Sequence, residues 1–148
     1  MQSGIDGVLV QDLTIIPTDG GPVLRMLRAD SPLYMGFGEL YFSEVEPGCI
    51  KAWKCHTTQT QHFAVPVGRI KVVLYDARKG SPTKNRMVEI MLGRPDQYQL
   101  LRIPPQIWYG FTALGETPAL ICNCADLPHD PAEALRKDQD SPDIPYHW

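Results

Sequence analysis

Lys54 and His56 are separated by one residue, a spacing that puts an amine and an imidazole on the same face of a β-strand. Buried side by side, they would oppose each other's protonation, and the lysine pKa would fall. Lys54 is then a candidate general base, enolate stabiliser or imine-forming amine. The plainer alternative is a solvated lysine on a strand in another register. His56 can carry a proton or act as a hydrogen-bonded core histidine. Tyr109 offers a phenol that could deliver a proton from the side opposite Lys54, or simply pack with its hydroxyl satisfied. His62 neighbours Gln61, and alternation turns it outward toward a surface or an interface. Cys122 and Cys124 would share a strand face, but no second pair lies near them, so they read as packing residues and not as a zinc site.

The elements that must position these residues are short strands. Proline and glycine punctuate the chain at close intervals. Candidate strands fall at 7–10, 11–16, 23–28, 38–45, 49–56, 61–66, 70–76, 87–92, 98–103 and 119–124. Within 38–45, Leu40 and Phe42 fall on one face and Tyr41 and Ser43 on the other. One helical turn is expected over 131–136, with Asp130 as N-cap and Pro131 at the first helical position. The proline- and aspartate-rich tail from Asp138 to Trp148 should lie over the barrel or over a partner. Regularly spaced strands with so little helix favour an all-β closed barrel or jelly roll in a single domain spanning 1–148.

Composition narrows the function classes. The 43% hydrophobic and 21% charged shares are globular, and the net charge of −3 gives no basic surface for nucleic acid or an anionic membrane. No apolar run approaches the ~18 residues of a membrane span. The N-terminal residues lack the basic flank and apolar stretch of an export signal, so a cytoplasmic location with reduced thiols is expected.

Two groups of residues carry a family resemblance. Gly48, Lys54-Cys55-His56, Gln61 and Gly68, followed by Pro104-Pro105-Gln106-Ile107-Trp108-Tyr109, keep the intervals of the two-part cupin motif. Three of the four positions that usually hold a metal are Lys54, Gln61 and Tyr109, so no metal and no cofactor are expected. Gly68 to Arg78 with Ser81-Pro82-Thr83, and Ile103 to Phe111, resemble the dTDP-4-dehydrorhamnose 3,5-epimerases over about residues 38–126.

That resemblance implies a cupin jelly roll. It implies as substrate a nucleotide-linked 4-keto-6-deoxy sugar, whose protons next to the ketone are moved without metal by Lys54, His56 and Tyr109. Lys54 stands where the family keeps its histidine base, and Gln61 where it keeps an enolate-stabilising lysine. Lys51 replaces an arginine that contacts the diphosphate. Trp53 and Arg78 join Lys51 and Gln61 as candidate substrate contacts, although the Asp76-x-Arg78 turn favours a structural pairing of Arg78 with Asp76, and Trp53 is favoured as a packing residue. The resemblance also implies a homodimer. The competing reading is a catalytically silent cupin that binds a sugar or nucleotide.

Overall fold

The computed structural model describes residues 1–148 and contains no helix. Twelve strands follow one another in the chain: β1 (Leu9–Asp12), β2 (Ile15–Ile16), β3 (Val23–Leu24), β4 (Glu39–Val45), β5 (Ile50–His56) and β6 (Gln61–Val67). The second half supplies β7 (Arg69–Asp76), β8 (Met87–Gly93), β9 (Gln99–Ile103), β10 (Ile107–Leu114), β11 (Ala119–Ala125) and β12 (Ala134–Arg136). One sheet runs in the order β1-β9-β6-β11-β4 and the other β12-β5-β10-β7-β8, with β2 and β3 forming a small hairpin. All pairings between these strands are antiparallel. The jelly-roll expectation holds.

Between the sheets lies a core of 17 buried residues, including Phe63, Val65, Val72, Leu74, Tyr109 and Phe111. A second cluster sits on the outer side of the β5-β10-β7 surface, where Trp53, Cys55, Val73, Tyr75 and Trp108 meet Ile144, Tyr146 and Trp148 of the tail. The tail thus covers the barrel's own outer face. Burial on both faces explains why β7 lacks a clean polar alternation and why β10, Ile107–Leu114, gives no strand pattern in the sequence.

Three expectations need correction. Residues 131–136 do not form a helical turn. Asp130 does cap locally, its Oδ1 accepting from Ala132 N at 2.9 Å, but the chain then opens into β12. The open edge of β5 satisfies its backbone, pairing Ala134 with His56, Leu135 with Cys55 and Arg136 with Lys54. Only Val23–Leu24 of the candidate strand 23–28 is a strand. His62 does leave the barrel interior, yet it is fully buried: Leu33 covers it, and its ring nitrogens lie 3.0 Å from Leu33 O and 2.8 Å from Cys124 O.

Candidate active site

β5 and β10 bring the three chemical residues together. Tyr109 is the cross-strand partner of Lys54, and Phe111 that of Lys51. Between these pairs the register slips by one, so Ala52 and Trp53 together oppose Gly110. Such a β-bulge interrupts the two-residue alternation. Lys51 and Lys54 therefore both take the inner face, with His56, while Trp53 and Cys55 turn to the outer cluster. Gly110 permits the close packing. A Cβ there would lie 2.5 Å from the Ala52 Cβ and 2.8 Å from the Trp148 ring.

A buried hydrogen-bonded chain runs from Tyr109 through His56 to Glu133. The Tyr109 hydroxyl is 3.0 Å from His56 Nε2, and His56 Nδ1 is 2.6 Å from Glu133 Oε1. Glu133 Oε2 accepts from the backbone nitrogens of Thr58 at 2.9 Å and Gln59 at 3.0 Å. Burial alone would raise the Glu133 carboxyl, but the Thr58, His56 and Gln59 hydrogen bonds outweigh it and hold the pKa at about 2. An ionised carboxylate only accepts, so His56 Nδ1 carries the hydrogen, and Nε2 is left to accept from the Tyr109 hydroxyl. Burial pulls His56 below its ordinary value against the opposing pull of Glu133, and Lys54 adds to the fall. Burial also raises the Tyr109 phenol well above its usual range.

The chain ends in a cavity of about 700 Å³ between the sheets. Lys51, Lys54, Tyr109 and Phe111 form its wall on the β5–β10 side, and Tyr41 and Asn123 stand on the other sheet. Arg136 and Lys137 add cations at its rim. A second cavity, of about 550 Å³, shares Tyr41, Lys54 and Arg136 with the first and is lined also by His56 and Glu133. Burial lowers the Lys54 pKa, Arg136 lowers it further, and Glu133 works against both. No cluster of three His, Cys, Asp or Glu side chains is arranged to hold a metal ion.

Lys54, His56 and Tyr109 are thus neighbours. Tyr109 does not face Lys54 across the cavity, however: the two are side by side in one sheet. Lys51 lines the cavity and donates from Nζ to Glu44 O at 2.6 Å. Gln61 is buried in an amide network, accepting from Asn123 Nδ2 at 2.5 Å and donating to Gln59 Oε1 at 3.2 Å. Trp53 touches the cavity, but its ring packs in the outer cluster, where Nε1 donates to Gln139 O at 3.2 Å. Arg78 is not among the residues that line the cavity. It grips Asp76 at 2.8 and 2.9 Å and donates to Asp6 O at 2.8 Å. Sequence reasoning missed Glu133, Tyr41, Asn123 and Arg136. For Tyr41 the signal existed, in the alternation that sets it and Ser43 apart from Leu40 and Phe42.

Comparison with known proteins places these observations. A family model described as dTDP-4-dehydrorhamnose 3,5-epimerase matches residues 27–148. The chain is 36% identical over 144 residues to the probable low-salt glycan biosynthesis epimerase Agl13 of Haloferax volcanii, covering 96% of this chain and 88% of that one. It is 34% identical over 146 residues to the spore coat polysaccharide biosynthesis protein SpsL of Bacillus subtilis, covering 97% and 96% respectively. A crystal structure of a dTDP sugar isomerase from Desulfovibrio desulfuricans G20 superposes with a TM-score of 0.98 at 57% identity, covering all of this chain and 94% of that one.

Proposed function

The chain belongs to the dTDP-4-dehydrorhamnose 3,5-epimerase family, and on that footing we propose that it epimerises a nucleotide-linked 4-keto-6-deoxy sugar by proton transfer next to the ketone. The observation that carries this reading is the Tyr109–His56–Glu133 chain opening beside Lys54 into a cavity of substrate size. Tyr109 oxygen takes the proton from the carbon next to the ketone while its own proton passes to His56 Nε2. Glu133 steadies the imidazolium that results, as the carboxylate does in other acid–base triads. The Lys54 ammonium stands next to Tyr109 and compensates charge gathering on the enolate oxygen. Lys51, Arg136 and Lys137 supply positive charge for the diphosphate.

The reaction is proposed to need no metal, which is supported by Lys54, Gln61 and Tyr109 standing where cupins keep ligands. A homodimer in the cytoplasm is part of the same proposal. The exposed Leu40 and Phe42 on edge strand β4, with Met35 and Phe37 nearby in the chain, support pairing with a second copy, and light scattering would measure it.

The test is incubation with dTDP-4-keto-6-deoxyglucose in deuterated water, with metal analysis of the same sample. Deuterium entering next to the ketone is expected. If none enters with any nucleotide-linked ketosugar while dTDP still binds, the protein is a silent binding cupin.

A further inference from the structure

Inverting a carbon next to a ketone requires a proton to leave one face and another to arrive on the opposite face. Tyr109 and Lys54 lie in the same sheet, so they serve one side of the cavity. The facing wall carries another phenol. β4 turns Tyr41 and Ser43 into the cavity and leaves Leu40 and Phe42 exposed outside. Resting on the reading above, we propose that Tyr41 is the second catalytic residue, the acid that delivers a proton to the sugar face opposite Tyr109.

The hydrogen bonds around the two phenols set them to opposite tasks. Tyr109 spends its hydrogen on His56 Nε2 and so presents oxygen lone pairs, the arrangement of a base. Tyr41 is the reverse. Its oxygen accepts from Asn123 Nδ2 at 2.8 Å, and its own hydrogen has no protein acceptor. Asn123 cannot flip to change this. Its Oδ1 accepts from His62 N at 3.3 Å, and its Nδ2 also donates to Gln61 Oε1 at 2.5 Å. The Gln59–Gln61–Asn123 amides therefore hold the Tyr41 oxygen while leaving its O–H uncommitted at the cavity wall. The two phenols lie close enough that an ionised Tyr41 would oppose ionisation of Tyr109. Burial raises the Tyr41 phenol and keeps it protonated, although the Asn123 bond pulls the other way.

The protons balance over a cycle. Tyr109 takes the carbon proton and passes its own to His56. The enolate carbon then takes the Tyr41 proton, leaving a phenolate that the Asn123 N–H stabilises. One proton too many now sits at His56 and one too few at Tyr41. Both residues line the second cavity, through which water can carry the difference. The new hydrogen on the inverted carbon is consequently a solvent hydrogen.

Tyr41→Phe in deuterated water tests the proposal, with dTDP-4-keto-6-deoxyglucose as probe and both inversion and isotope exchange followed by NMR. The variant should lose inversion by roughly 100- to 10,000-fold, while recovered substrate still gains deuterium within about tenfold of the wild-type rate, because Tyr109 continues to remove and return a proton on its own face. Tyr109→Phe should lose exchange and inversion together. Inversion by Tyr41→Phe within threefold of wild type would overturn the assignment. So would a parallel loss of exchange and inversion in a Tyr41→Phe protein that binds dTDP and melts like wild type. Absence of exchange in the wild type would instead sink the epimerase reading beneath it.

Discussion

His56 and Glu133, 77 residues apart in the chain, meet at 2.6 Å inside the barrel. The bond fixes which imidazole nitrogen holds the hydrogen and hence whether Tyr109 can act as a base. Replacing Glu133 with Gln keeps the shape but removes the charge that stabilises the imidazolium. The turnover rate should fall roughly 100-fold or more, with dTDP affinity within threefold of wild type. Stability should drop by about 2 kcal/mol, since two backbone N–H groups lose an ionised acceptor. Turnover and a urea titration of the variant measure both.

The same pair predicts a direction of pH dependence. The Glu133 pKa is depressed from 4.5 to about 2. The unfolded chain therefore binds more protons in that range, and the contribution of Glu133 to stability, complete above pH 4.5, is lost as the pH falls toward 2. His56 is also depressed below its ordinary 6.5. Its contribution is complete above pH 6.5 and is lost as the pH falls through its folded value. Urea midpoints should therefore decline on acidification below 6.5, and Glu133→Gln should make the stretch between 4.5 and 2 less steep, with Asp76 carrying the decline that remains there. An equally steep decline there in the variant would place the acid sensitivity elsewhere.

Lys51 and Lys54 share a cavity wall but should separate in kinetics. Lys54→Met removes the charge next to Tyr109 and should lower the turnover rate by roughly 100-fold. Lys51→Met removes a more exposed cation from the same wall and should raise KM by about five- to tenfold, more at low salt, with little change in turnover. Steady-state kinetics at two ionic strengths decide this, and a turnover loss in Lys51→Met equal to that in Lys54→Met would contradict it.

Asp76 and Arg78 predict the opposite pattern, a loss of stability without a loss of chemistry. Asp76 is fully buried and accepts from Arg78, Ser81 and Thr83. Although burial would raise its carboxyl, these bonds hold it far below the usual range. Asp76→Ala should cost ~3 kcal/mol or more by depriving the Arg78 charge and two hydroxyls of their shared carboxylate. Arg78→Ala should cost less and leave KM within twofold of wild type. A large KM rise in Arg78→Ala would restore it as a substrate contact.

How much of this was legible follows from how local each signal is. The His56 and Tyr109 positions could be read because motif spacing survives on regular strands. Glu133 could not, because Asp130-Pro131 reads as a helix start. The cap did form, but pairing with β5 overrode local propensity and swung Glu133 beneath His56. β10 was hidden by its completeness of burial and its central glycine. The shared face of Lys51 and Lys54 was hidden because alternation forbids it, and only Gly110 on the partner strand, 56 positions after Lys54, makes the bulge possible.

That bulge makes β5 behave like text with a frameshift: side chains before Ala52 are read in one phase and those after Trp53 in the other. Substitutions in this strand can be considered one at a time, but changes of length cannot. Deleting Ala52 would absorb the bulge and leave Lys51 and Lys54 together on the cavity face, whereas deleting Cys55 would set Lys54 and His56 on opposite faces, without altering any side chain that performs chemistry.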